Sequence, residues 1–245
     1  MKPSDCRNAA DVDALARAMF GQVLPFAGVS HVTATWAKPG DGLWVMAIRD
    51  DTPKSEHDFF MLNLARARAD AILVTGKVLR EEPELRYTLQ GSDRLPEALA
   101  EWRAVYAGRS EPPLLIVLTS GRGLDARHPA LSGEWARPVI YTSNDAELAP
   151  SKARVVRSSK PDARSAIRWA QSQGAAIVSL EAGPSTVAPL YDPPCVIDEL
   201  LLGVHHAPSL PEGIAVAKLF EEDESFGMGT GSHRVGRWTF ARELR

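Results

Sequence analysis

Short apolar runs bounded by turn residues recur through the middle of this chain. Ala71-Ile72-Leu73-Val74-Thr75, Leu114 to Leu118, Pro138 to Tyr141 and Ala175 to Leu180 are compact, uncharged and mostly β-branched or leucine. Runs of that length suit strands covered on both faces. Between them the spacing turns helical. Phe59, Leu62, Ala65, Arg66 and Ala69 share one helical face, as do Ala163, Ala166, Ile167 and Ala170, and a further helix is predicted from Leu95 to Tyr106. Strands alternating with helices predict an α/β fold, a central mostly parallel mixed sheet with helices on both faces.

The flanks add to this pattern. Val12, Leu15, Ala16, Met19 and Val23 recur at helical spacing until Pro25, which predicts an N-terminal helix. Residues 1–28 are read as a helical extension and 29–245 as a single domain. His31 to Trp36 alternates as a strand, and Leu43 to Ile48 predicts a second one. Ser55 with Asp58, and Ser159 with Asp162, stand at capping-box spacing, so helices start there. Val196 to Gly203 predicts a strand. Residues 208–232, rich in Pro, Gly and acids, predict mostly loop, and Arg234 to Glu243 predicts a final antiparallel edge strand.

The stretch with most chemistry is Ala175 to Leu190, AAIVSLEAGPSTVAPL. A buried strand ends in Glu181-Ala182-Gly183-Pro184, then Ser185 and Thr186 open one or two helical turns. Small residues admit a ligand to the backbone, and the first amides of a helix have no internal partner. The pattern is that of a phosphate seat, and equally of a plain strand-to-helix turn. Thr119-Ser120-Gly121-Arg122 and Thr142-Ser143-Asn144 also put hydroxyls beyond a strand end, where open α/β sheets bind ligands.

Bulk composition narrows the classes. The formal net charge of −3 provides no basic field for nucleic acid. No apolar run approaches the length of a membrane span, and the first 20 residues lack the apolar core of a signal peptide, so a cytoplasmic protein is expected. Cys6 and Cys195 form neither a disulfide framework nor a zinc pattern, and no metal is expected. Gly76-Lys77 lacks the upstream glycine of a P-loop, and the adjacent His205 and His206 point to opposite faces of a strand.

Three segments together resemble the reductase domain of riboflavin biosynthesis, the C-terminal half of the bifunctional deaminase-reductase. They are Ala69 to Val74 with Gly76 and Glu82-Pro83-Glu84-Leu85, then Glu181 to Thr186, then Val196 to Leu200. The resemblance covers about residues 30–245. It implies a dihydrofolate-reductase-like fold, NADPH as cofactor, a small-molecule substrate and a homodimer. The reaction it implies is reduction of a ribosylaminopyrimidine 5′-phosphate to its ribityl form. It implies cofactor contacts at Thr75, Gly76, Thr119, Ser120, Arg122, Glu181, Ala182, Gly183, Pro184, Ser185 and Thr186. Arg122 and Ser120 are the candidates for the 2′-phosphate. Lys38 and Lys77 are the substrate candidates and Glu82 the catalytic candidate.

The chain departs from the family pattern at several of these positions. Thr75-Gly76-Lys77 is shortened and carries Lys where Thr is usual. Ala182 replaces a glycine, Glu82 an aspartate, and Trp36 to Gly42 keeps little of the substrate segment. A second reading therefore stands beside the first: a non-catalytic nucleotide-binding or regulatory protein on the same fold.

Overall fold

Seven parallel strands carry the molecule because each predicted apolar run finds cover on two sides. The computed structural model describes residues 1–38, 42–46, 52–209, 216–220 and 232–245. The strands are β1 (Gly28–Lys38), β2 (Gly42–Met46), β3 (Ala71–Thr75), β4 (Leu114–Leu118), β5 (Arg137–Ser143), β6 (Arg154–Ser158), β7 (Ile177–Leu180), β8 (Glu199–His206), β9 (Val216–Phe220), β10 (His233–Val235) and β11 (Trp238–Leu244). The helices are α1 (Ala9–Phe20), α2 (Glu56–Arg68), α3 (Gly76–Glu81), α4 (Leu95–Val105), α5 (Ala163–Ser172) and α6 (Pro184–Tyr191). Among the described residues the sheet order is β10-β11-β8-β1-β7-β3-β4-β5-β6, with β2 on β1 and β9 on β2.

From β8 to β6 every neighbour is parallel; β11 runs antiparallel to β8. This is the α/β architecture that the alternating pattern predicts. Side-chain alternation divides the sheet's two covers. Ala71, Leu73, Ile116, Val178 and Leu180 pack with α5 and α6, through Ala166, Ile167, Val187 and Leu190. On the other face Val32, Trp36, Leu201 and Phe240 meet α1, α2 and α4, through Leu15, Met61, Leu64 and Trp102. The N-terminal helix α1 thus packs into the same core as the sheet.

Several local expectations shift. α1 ends at Phe20, not Val23, because Gly21 turns out at φ +70°. Ser55 caps α2 by accepting from the His57 amide at 3.2 Å, but Asp58 does not reach back to complete the box. The second capping box is displaced: Asp162, not Ser159, caps α5, and Ser165 is its reciprocal partner. Thr142 and Ser143 lie within β5 rather than beyond it. β8 begins at Glu199 and runs on to His206, because its pairing with both β1 and β11 extends that far. The C-terminal stretch divides into β10 and β11 at Gly236, φ +58°, so β10 takes the outermost place. Within the expected loop 208–232, Val216–Phe220 is a strand. The expected strand residues Ala47 and Ile48 lie outside the described residues, as do Pro39, Gly40 and Asp41.

Strand length creates a step. Leu180, the last residue of β7, pairs with His31, whereas β1 continues to Lys38 and pairs with β8 as far as Ala37 and His206. The carboxyl ends of β7, β3 and β4 therefore stop at a ledge, and β1 with β8 rises beside it as a wall. The first turn of α2 lies along that wall.

Candidate functional site

The predicted cofactor residues lie on this ledge. β3 stands between β7 and β4, so the segments after them are neighbours: Glu181 to Thr186, Gly76, and Thr119 to Arg122. Gly183 precedes α6, with Pro184 in its first turn. A side chain on Gly183 would meet nothing within 4 Å among the described residues, and its φ of −69° suits any residue. The space above it is open. The carbonyl of Gly183 accepts from Thr186 at 2.9 Å and Val187 at 3.2 Å. The amides of Ala182, Gly183 and Ser185 meet no acceptor among the described residues. Unpaired amides at a helix start, beside exposed Ser185, fit an anionic phosphate group. Ala182 takes its place in the loop without φ entering the positive range.

The second segment is locked to the first. A Cβ on Gly76 would come within 2.6 Å of Thr119 Oγ1, so Gly76 lets α3 start against the β4 loop. Thr119 Oγ1 accepts from the Gly121 amide at 3.1 Å. Gly121, at φ +86°, lies where a Cβ would be 2.9 Å from the Glu147 carbonyl. Arg80 donates to the Arg122 carbonyl at 3.2 Å, which holds the loop against α3. Ser120 and Arg122 are exposed at its crest.

Glu181 is placed differently from the loop that follows it. Its carboxylate takes a two-pronged bond from Arg66 on α2, with Nη2 to Oε2 at 2.7 Å and Nε to Oε1 at 3.0 Å. Both side chains are more than nine-tenths buried, and the guanidinium lies 4.7 Å from the centre of the Tyr87 ring. Glu181 thus ties the Ala182-Gly183 turn to α2 from beneath. Glu82, at the end of α3, lies in the field of the same pair. Burial raises its carboxyl above the usual range, Arg66 opposes this, and Glu81 and Glu181 add to it. The Glu82 carbonyl is 3.0 Å from His128 Nε2. Lys77 is exposed and 3.6 Å from Glu81 on its own helix. Lys38 ends β1, and its side chain lies outside the described residues.

Arg66 was not among the sequence candidates, although it stands within the Arg66-Ala67-Arg68-Ala69-Asp70 run. Removing it leaves a buried carboxylate unpaired. Arg66→Met is expected to destabilise the fold by about 3–5 kcal/mol and to loosen the Glu181–Thr186 loop. Thermal melting together with NADPH titration checks both, and a variant melting with the wild type would sink the claim.

Asp58 also escaped notice, having been read as a helix cap. It is partly buried on the first turn of α2, and burial alone raises its pKa to about 7. At the opposite edge, a depression of about 240 Å³ gathers Asp70, Arg103, Arg109 and Arg137. Arg103 is bonded there to the carbonyls of Ala67, Ala69 and Glu111, and Arg109 to Asp70, so these groups serve the fold. No group of metal-ligating side chains occurs among the described residues, and no described helix is long and apolar enough to cross a membrane.

No protein-family model matches the chain, and no curated protein matches it by sequence. Solved structures do match. A pyrimidine reductase-like protein from Corynebacterium diphtheriae aligns with a TM-score of 0.64 and 17% identity, over 93% of this chain and 97% of that one. The riboflavin biosynthesis reductase of Saccharomyces cerevisiae aligns at 0.54 and 11%, over 96% and 99%. A diaminohydroxyphosphoribosylaminopyrimidine deaminase/5-amino-6-(5-phosphoribosylamino)uracil reductase from Thermotoga maritima aligns at 0.56 and 15%, over 90% of this chain and 56% of that one. This chain spans a little over half of that protein. The parallel sheet, its ledge and these alignments together give the chain the fold of the pyrimidine reductases of riboflavin biosynthesis.

Proposed function

We propose that the protein is an NADPH-dependent reductase of a ribosylaminopyrimidine 5′-phosphate or a closely related small heterocycle. The observation that carries this reading is the open, side-chain-free seat at Gly183, with its unpaired amides beside the Thr119–Arg122 loop. A filled seat would have favoured the non-catalytic reading. The cofactor supplies the hydride. Around it, the amides of Ala182, Gly183 and Ser185 would hold the pyrophosphate, and exposed Ser120 and Arg122 the adenosine 2′-phosphate. Arg66 and Glu181 would keep the seat in shape. The substrate would lie between this loop and the wall of β1 and β8, where exclusion of water and a fixed approach favour hydride transfer. A homodimer in the cytoplasm completes the reading; the size of the protein in solution tests its oligomeric part.

Titration with NADPH and NADH, read by tryptophan fluorescence, tests the cofactor. Preferential NADPH binding is expected; failure of both to bind would leave only the fold. Arg122→Ala is expected to weaken NADPH by about tenfold, roughly 1.4 kcal/mol, and NADH much less. Equal losses would show that Arg122 does not read the 2′-phosphate.

A further inference from the structure

We propose that Asp58 is the proton donor of this site, passing its proton to the nitrogen of a substrate C=N group as hydride reaches the carbon. The proposal rests on the reductase reading and names a residue that reading does not contain. Three placements carry it.

First, Asp58 stands on the first turn of α2, along the wall where β1 and β8 rise past the end of β7. Gly203, over which it lies, pairs with Ala34, past the His31–Leu180 pair that ends β7. Second, it has no hydrogen-bond partner among the described residues, although the capping position it occupies offers one. Its carboxyl instead lies over Gly203 of β8. A Cβ there would come within 2.9 Å of Asp58 Oδ1, 3.3 Å of Phe240 and 3.4 Å of Met61. Glycine is what lets the carboxyl sit down among apolar groups while part of it stays exposed. Third, the same face of β8 carries another unpaired polar atom. His205 is two residues past Gly203, so it shares its face. It is only 7% exposed, its Nδ1 has no partner among the described residues, and its ring lies 5.1 Å from Trp238. Unpaired polar groups that recur in one place in a buried setting are suited to a ligand rather than to the fold.

Few titratable groups surround Asp58 among the described residues, and the N-terminal amine acts on its neighbour His57. His57 and Glu56 share its helix, His205 comes from β8, and His233 of β10 lies 5.9 Å from the His57 ring. β1 and β11 present Ala34, Trp36, Trp238 and Phe240 to this side of the sheet. Burial lowers the pKa of both His57 and His205 below the ordinary imidazole value, with His233 adding to this at His57 and Arg237 at His205. No nearby cation among the described residues forces its carboxyl to ionise.

The step balances. Ring opening of the ribosylamine gives the C=N form. A bound dihydronicotinamide would supply the hydride for the new C–H bond at C1, and the π pair of the C=N bond would move to nitrogen. The Asp58 O–H bond breaks and a new N–H bond forms. C1 would be reduced at the expense of the nicotinamide, and the Asp58 carboxylate would recover a proton from water.

Asp58→Asn tests this while keeping size and shape. NADPH affinity is expected to stay within about twofold, and kcat with the ribosylaminopyrimidine 5′-phosphate to fall by about 10²–10⁴-fold. In the wild type kcat is expected to decline above about pH 7, and this limb should vanish in the variant. A kcat within about threefold of wild type, or an unchanged alkaline limb, overturns the proposal. If the wild type oxidises no NADPH with that substrate, the reading of function fails separately. Asp58 is then decided by calorimetric binding of the same phosphate in two buffers of different ionisation enthalpy. Proton uptake or release in the wild type and none in Asp58→Asn supports it; equal linkage in both proteins, or no binding, overturns it. Because the folded protein holds this proton more tightly than the unfolded chain, wild-type stability falls as pH rises through about 4 to 7. Asp58→Asn should therefore melt higher than wild type at pH 8. A lower melting temperature there would mean that the carboxyl has a structural partner, against the proposal.

Discussion

Glu199→Ala is expected to lower stability by about 3–5 kcal/mol, a fall in Tm of roughly 6–20 °C at about 2–4 °C per kcal/mol. Glu199 opens β8 and is fully buried. It accepts from Arg68 of α2, from Ser30 of β1 at 2.5 Å and from Arg242 of β11 at 2.5 Å. One carboxylate thus joins a helix and three strands at the amino edge of the sheet. Arg68 is itself buried and lies 4.8 Å from the centre of the Phe26 ring. Alanine would leave this guanidinium in an apolar setting without a counter-charge, a penalty larger than the net worth of the pair. Burial would raise the Glu199 carboxyl, but the bonds and charge of Arg68, with Ser30 and Arg242, outweigh it and hold it below the ordinary range. Its stabilisation is therefore complete above the unfolded carboxyl's pKa, near 4.5, and is lost as pH falls through the lower folded value. Denaturant melts of both proteins at pH 7 and at pH 3 check the sign: the gap should narrow in acid. A gap below about 1 kcal/mol at pH 7 would mean that this network is replaceable by water.

Gly183→Val is expected to cost at least about 100-fold in NADPH affinity, roughly 2.7 kcal/mol, with stability held within about 0.5 kcal/mol. The two halves of this expectation have one source. A Cβ at Gly183 would touch no atom of the described residues within 4 Å, and φ is −69°, so they give the fold no reason to object. Among the described residues the branched side chain displaces nothing, so its expected cost falls on a ligand lying against the loop. A stable variant with unchanged affinity would remove this turn from the cofactor site. Gly76 makes the contrast, since a Cβ there meets Thr119 at once and the damage would be to packing.

These expectations show what a linear reading catches. The ledge residues were legible because strand ends followed by small and hydroxyl residues have a local signature, from Thr75-Gly76 to Gly183-Pro184-Ser185. Glu181 was legible as a loop residue but not as the partner of Arg66, 115 positions away. Asp58 was legible only as a cap, because its spacing from Ser55 fits one; the structure turns it toward Gly203 instead.

The sequence by itself determined most of the helices and strands and the parallel character of the central sheet. Hydrophobic periodicity and turn chemistry act over a few residues, so they can be read one window at a time. The tertiary structure alone decided which charges pair and which remain free. Arg66 finds Glu181, Arg68 finds Glu199, and Asp58 finds no partner among the described residues. Those outcomes depend on burial and on approaches across distant strands and helices, where desolvation makes a paired carboxylate stable and an unpaired one reluctant to ionise.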